Sequence, residues 1–120
     1  MRLDCLPGRF ALYRWGVFDE TLIDEAGRRL AEAAPPQARV ILFGSHARGD
    51  AGPRSDLDFL VVEPFVGDAA EESVRLRRTL RGLGLFADVL VVSEREAEDW
   101  RDVRGSLIHA ALIEGRLLAA

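Results

Sequence analysis

Lysine is absent from this 120-residue chain, and all sixteen basic residues are arginine. That excludes a P-loop lysine and a Schiff-base lysine together. A single cysteine, Cys5, excludes an internal disulfide, and with only His46 and His109 beside it a structural zinc site lacks ligands. No apolar run approaches the roughly eighteen residues of a membrane span, and no signal-peptide pattern is present. These absences predict a cytoplasmic protein without membrane association. Net positive charge is also missing: the balance is −4, so direct nucleic-acid binding is not expected. The length allows one core and no separate substrate-binding domain, so a bulky acceptor has to come from outside.

What is present alternates between helix and strand. Residues 1–18 carry no decisive period and are set apart as an N-terminal extension, with FALYRW compatible with a strand, a docking arm or a helix start. A domain over 19–120 follows. Asp19 caps a helix whose Leu22, Ile23, Ala26, Leu30 and Ala33 recur at helical spacing until Pro35-Pro36. RVILF (39–43) reads as a buried strand, and Gly44 to Ser55 as turns with one helical turn around His46 to Arg48. Asp56 to Val62 is a second strand, stopped by Glu63-Pro64. Asp68 to Arg81 is a helix with Val74, Leu76 and Leu80 as its apolar residues, closed by Gly82-Leu83-Gly84. Leu85 to Val92 is a third strand, and Ser93 with Glu96 forms a capping box for a helix to about Val103. A last helix follows in SLIHAALIEG, with Leu107, Ile108, Ala111 and Leu112 inward. The pattern predicts an α/β (α+β) domain, a small mixed β-sheet flanked by helices.

The chemistry concentrates at strand ends. Asp56 and Asp58 share a strand face with α-carbons about 6.6 Å apart, so both carboxylates can grip one small object. A helical crossover makes the second and third strands parallel, which brings Asp88 to the same end of the sheet. If the first strand runs antiparallel to the second, Gly44 and Ser45 meet the acids there. Glycine permits close backbone approach, and the following helical turn with a serine hydroxyl suits phosphate. Three anions beside an anion-binding turn are reconciled by cations, and an oxygen-rich site of this kind suits Mg²⁺, with two ions as used in phosphoryl or nucleotidyl transfer. Asp88, less engaged in coordination, could accept the acceptor's proton.

Gly44-Ser45, ten residues, Asp56-x-Asp58 and the later strand with Asp88 resemble the signature of the DNA polymerase β-like nucleotidyltransferase superfamily. Arg48-Gly49 and Ser55-Asp56-Leu57-Asp58 resemble its small single-domain branch, the minimal nucleotidyltransferases. The resemblance spans about residues 20 to 118. It implies a polymerase β palm-like fold, a nucleoside triphosphate with two Mg²⁺ ions, and transfer of a nucleoside monophosphate with loss of pyrophosphate. It implies metal binding by Asp56, Asp58 and Asp88, and a triphosphate held by Gly44 and Ser45. The branch is commonly paired with a helical HEPN-domain toxin, the nucleotidyltransferase being the antitoxin that can attach AMP from ATP to a toxin tyrosine.

Plainer readings stand beside these. Asp56 and Asp58 could be turn residues at a strand start, Asp88 could solvate a strand end, and Ser45 could cap the short helix. Arg48 is read as a phosphate clamp or a solvated loop cation, and Arg54 more as the latter. Arg75, Arg77, Arg78 and Arg81 spread around their helix as a solvated face. Trp15, Trp100 and Tyr13 read as core or interface, and His109 as structural. Two rival functions remain open at this level: an antitoxin that masks its partner without catalysis, and an antibiotic-modifying nucleotidyltransferase that dimerises to build its acceptor pocket. Homo- and hetero-oligomers are both compatible with the sequence.

Overall fold

The stretch LDFLVVE forms the central strand because nearly every side chain in it is apolar and both its faces are covered. In the computed structural model, which describes residues 20–44, 47 and 56–120, the elements run in the order α1 (Glu20–Ala33), β1 (Arg39–Phe43), β2 (Leu57–Glu63), α2 (Ala69–Arg78), β3 (Ala87–Ser93), α3 (Glu94–Trp100), α4 (Leu107–Glu114) and β4 (Arg116–Ala119). One mixed sheet has the order β3-β2-β1-β4. β1 pairs antiparallel with β2 and with β4, and β2 pairs parallel with β3. This is the small mixed sheet flanked by helices that the sequence predicts.

Strand alternation divides the core into two layers. On one face Val40, Leu42, Phe59, Val61, Val89 and Val91 pack with Ile23, Ala26 and Leu30 of α1 and Leu76 of α2. On the other, Ile41, Phe43, Leu60, Val62 and Val92 pack with Ala97 of α3 and with Ile108 and Ala111 of α4. A strand enclosed on both sides reads as a continuous apolar run rather than an alternating one. Each fully buried side chain of β2, such as Phe59 or Leu60, stabilises the fold by about 1.5–3 kcal/mol.

Three helices start at side-chain caps. Asp68 Oδ1 accepts from the Glu71 N–H, Ser93 Oγ from Glu96 and Ser106 Oγ from His109, each at 3.0 Å. Each cap satisfies a backbone donor that the helix cannot, and contributes about 1 kcal/mol. The expected Asp19 cap and the 1–18 extension lie outside the described residues.

Several boundaries differ from expectation. β2 begins at Leu57 and incorporates Glu63, so Asp56 precedes the strand and Glu63 does not stop it. β3 begins at Ala87, leaving Leu85 and Phe86 in the preceding loop, and α2 ends at Arg78. α3 ends at Trp100, short of Val103, because Val103 N–H turns back to the Trp100 carbonyl in a three-residue step. Leu107, expected inside, is exposed, because its helix turns Ile108 to the sheet instead; on α2, Leu76 is buried and Val74 is exposed. β4 was not expected. RLLA is too short to show a period, and its strand character comes from the free edge of β1. The chain enters β4 through Gly115, where a Cβ would overlap the Ala111 carbonyl and the Ile41 side chain. Leu118 then lies against the bare backbone of Gly27, whose Cβ would sit 3.0 Å from its Cδ1.

Candidate active site

Register brings two of the acids into line. Asp58 lies opposite Asp88 across the parallel β2–β3 pair and opposite Phe43 across the antiparallel β1–β2 pair. The Leu57 N–H donates to the Phe86 carbonyl at 2.9 Å and locks the start of this pairing. By strand alternation Asp58 and Asp88 continue the faces of Leu60 and Leu90, on the α3–α4 side of the sheet.

Gly44 completes the row. It leaves β1 with a φ of 80°, in the left-handed region that glycine tolerates. A Cβ at this position would overlap the Asp58 carboxylate. The glycine therefore holds bare backbone against the half-buried acid, a close approach that no other residue permits without displacing the carboxylate.

Two adjoining cavities meet at this rim. The first, about 470 Å³, is lined by Gly44, Asp58, Ser73, Arg77, Asp88 and Leu107 among others. The second, about 550 Å³, is lined by Asp56, Arg77, Arg78, Arg81, Phe86 and Asp88 among others. Asp88 and Arg77 belong to both. Gly44, Asp58 and Asp88 are thus brought together, whereas Asp56 is exposed and opens onto the second cavity. Among the described residues no three acids, histidines or cysteines converge as a group that could hold a metal ion. Asp56 precedes the first ladder residue, so strand pairing does not hold it. Ser45, Arg48, His46 and Arg54 lie outside the described residues.

On α2, Ser73 escaped sequence reasoning and Arg77 was read only as part of a solvated face. Ser73 Oγ donates to the Val89 carbonyl, covering the outer edge of β3 with the helix. Arg77 follows one turn later and is carried to the acids by that contact. The spacing of Ser73, Arg77 and Arg81, four residues apart, was the available signal, since such residues share a helix face. Phe86 escaped too, because it was assigned to a buried strand and is instead 76% exposed at the mouth of the second cavity. His109 is structural, as expected: its Nδ1 lies 2.7 Å from the Arg101 carbonyl and ties the start of α4 to the end of α3.

A glycine turn and paired acids at the end of a mixed sheet define a class, and comparison with known proteins agrees. Residues 23–116 match the model of the nucleotidyltransferase domain, and the chain belongs to that family. It is 34% identical over 104 residues to the bifunctional uridylyltransferase/uridylyl-removing enzyme of Bordetella avium (strain 197N), covering 82% of the chain and 12% of that enzyme. The Bordetella pertussis (strain Tohama I / ATCC BAA-589 / NCTC 13251) enzyme of the same description is 34% identical over 103 residues, with the same coverage. The chain therefore spans only a small part of these curated relatives. Among solved structures, a Sulfolobus solfataricus protein provisionally described as a nucleotidyltransferase superposes with a TM-score of 0.53 at 26% identity, covering 81% of this chain and 76% of that one. A toxin-antitoxin structure with AMP-PNP has the same fold, with a TM-score of 0.52 at 21% identity over 81% and 73% of the two chains.

Proposed function

We propose that the chain is a Mg²⁺-dependent nucleotidyltransferase that moves AMP from ATP to a hydroxyl of a partner protein, a tyrosine of a HEPN-domain toxin, and so acts as an antitoxin. The observation that carries the transferase reading is the row of Gly44, Asp58 and Asp88 across three neighbouring strands, open to one cavity. The donor chemistry fits a hard divalent cation, with carboxylate oxygens on Asp58 and Asp88 and a third from Asp56 at the entrance. Bound there, the metal would neutralise phosphate charge and lower the pKa of the acceptor hydroxyl.

The residues divide the work. Gly44 with Ser45 receives the triphosphate, the bare glycine backbone free to approach phosphate oxygens. Asp88 accepts the proton as the acceptor oxygen attacks the α-phosphorus. The new oxygen–phosphorus bond forms as the bond to the β-phosphate breaks, and pyrophosphate leaves. Arg77, at the junction of both cavities, offers positive charge where charge accumulates on the phosphates.

The acceptor and antitoxin assignments are supported by the motif resemblance and by the shared fold with the toxin-antitoxin structure with AMP-PNP. A second reading, UMP as the transferred group, is favoured by the uridylyltransferase relatives. Purified chain, Mg²⁺ and α-labelled ATP or UTP are incubated with a candidate HEPN-domain partner. Labelled partner with one nucleotide and none with Asp58→Asn plus Asp88→Asn is the expected result. No label with any nucleoside triphosphate defeats the transferase reading, and neutralisation that survives the double substitution assigns the chain to masking.

A further inference from the structure

The two cavities flanking Asp88 differ in what lines them. Gly44 belongs to the first, on the β1 side of Asp58, and Asp88 stands on the β3 side. In-line displacement requires the attacking and leaving oxygens on opposite sides of the transferred phosphorus. With the triphosphate at Gly44 and the proton acceptor at Asp88, the acceptor enters from beyond β3. That is the position of the second cavity.

Its chemistry is specific. Arg77, Arg78 and Arg81 line it, and Phe86 stands exposed beside them. Five other arginines of the fold are engaged: Arg28 and Arg29 with Glu25, Arg39 with Glu94, Arg75 with Glu72 and Arg116 with Glu20. Among the described residues the guanidinium groups of Arg77, Arg78 and Arg81 have no such partner. A helix C-terminus favours positive charge, which accounts for the sign of Arg77 and Arg78 but not for three unengaged groups around one cavity. The segment is also held in place, since Arg29 Nη1 donates to the carbonyls of Thr79 and Arg81, both at 3.1 Å.

We infer that the cavity formed by Arg77, Arg78, Arg81 and Phe86 beside Asp88 is the acceptor site, and that it takes an acidic protein segment presenting an aromatic hydroxyl. The guanidinium groups of Arg78 and Arg81 pair with carboxylates flanking the reactive residue, and Phe86 packs against its ring. This rests on the transferase reading above, whose acceptor it specifies.

The test uses the double variant R78E/R81E, which leaves Arg77 and the acids in place, and two short fluorescein-labelled peptides with a central tyrosine, one flanked by glutamates and one by arginines. Peptide binding is measured by anisotropy with Mg²⁺ and a non-hydrolysable ATP or UTP analogue, and analogue binding is measured separately. The expected result is a preference of at least about tenfold for the glutamate-flanked peptide, reversed in R78E/R81E with analogue affinity unchanged. F86A, which alters no charge, weakens both peptides. Equal binding of the two peptides, or a loss of analogue affinity in R78E/R81E, overturns the assignment, the latter by placing these arginines on the donor's phosphates. Charge-selective peptide binding with no labelled partner from any α-labelled nucleoside triphosphate would instead defeat the transferase reading, so the two failures are distinguishable.

Discussion

Replacing Glu63 by glutamine should stabilise the protein at neutral and alkaline pH and leave it unchanged in mild acid. Glu63 closes β2 opposite Ser93, is 2% exposed, and its Oε2 has no hydrogen-bond partner among the described residues. Burial pushes its carboxyl up to about 7 from 4.5, helped by a hydrogen bond to Glu72 and that residue's charge, with Arg75 opposing. The unfolded chain releases this proton near 4.5, the folded chain near 7. Between those values the folded state holds more protons, so stability falls as pH rises, and the full cost is present above 7. At about 1.4 kcal/mol per pH unit the cost is about 3–4 kcal/mol. Glutamine has the same shape, carries no charge, and its amide can donate to Glu72. Glu72 works in the opposite sense: hydrogen bonds from Arg75 first, then from Glu63, hold it at about 2, so its contribution is present above 4.5 and is lost as pH falls further. Urea unfolding of E63Q and wild type at about pH 5 and pH 8.5 separates the two, since only the Glu63 effect differs between the proteins. An advantage for E63Q of about 3–4 kcal/mol at the higher pH and shrinking at the lower is expected. Parallel curves at both pH values, or a less stable E63Q at pH 8.5, would refute the buried proton.

Gly44→Ala forces a side chain into a left-handed backbone and onto the Asp58 carboxylate; a loss of about 1–3 kcal/mol in urea unfolding is expected, with nucleotide binding by calorimetry reduced further than Asp88→Asn reduces it. Ser73→Ala removes the donor on the Val89 carbonyl and should cost about 1 kcal/mol, with faster amide exchange along β3 as its local signature. Leu76→Ala opens a cavity under α2 and should cost about 2–5 kcal/mol, whereas Val74→Ala, two residues earlier on the exposed side, should stay within about 0.5 kcal/mol in the same melt.

Much of the fold was legible because the signals were local. Apolar runs bounded by turns marked β1, β2 and β3, helical spacing marked α1, and Ser93 and Ser106 marked the starts of α3 and α4. The parallel pairing of β2 with β3 followed from the crossover between them, and with it the alignment of Asp58 with Asp88. Errors fell where a neighbour decides. The strand character of RLLA depends on an unfilled edge of β1, and the exposure of Phe86 and Leu107 depends on which face each element turns to the sheet. Glu63 looked like a stop signal because its burial against α2 is invisible in one dimension.

The sequence alone determined the chemistry available: acids at strand starts, a glycine where backbone must approach a carboxylate, arginine as the only permanent cation. These are properties of residue type and short spacing, which local steric and electronic rules govern. Tertiary structure alone decided the company those residues keep. The packing of α2 along the edge of β3 carried Arg77 to Asp88, pairing across strands set Gly44 against Asp58, and the late start of β2 left Asp56 outside the ladder. Such placements come from contacts between segments far apart in the chain, which no local pattern encodes.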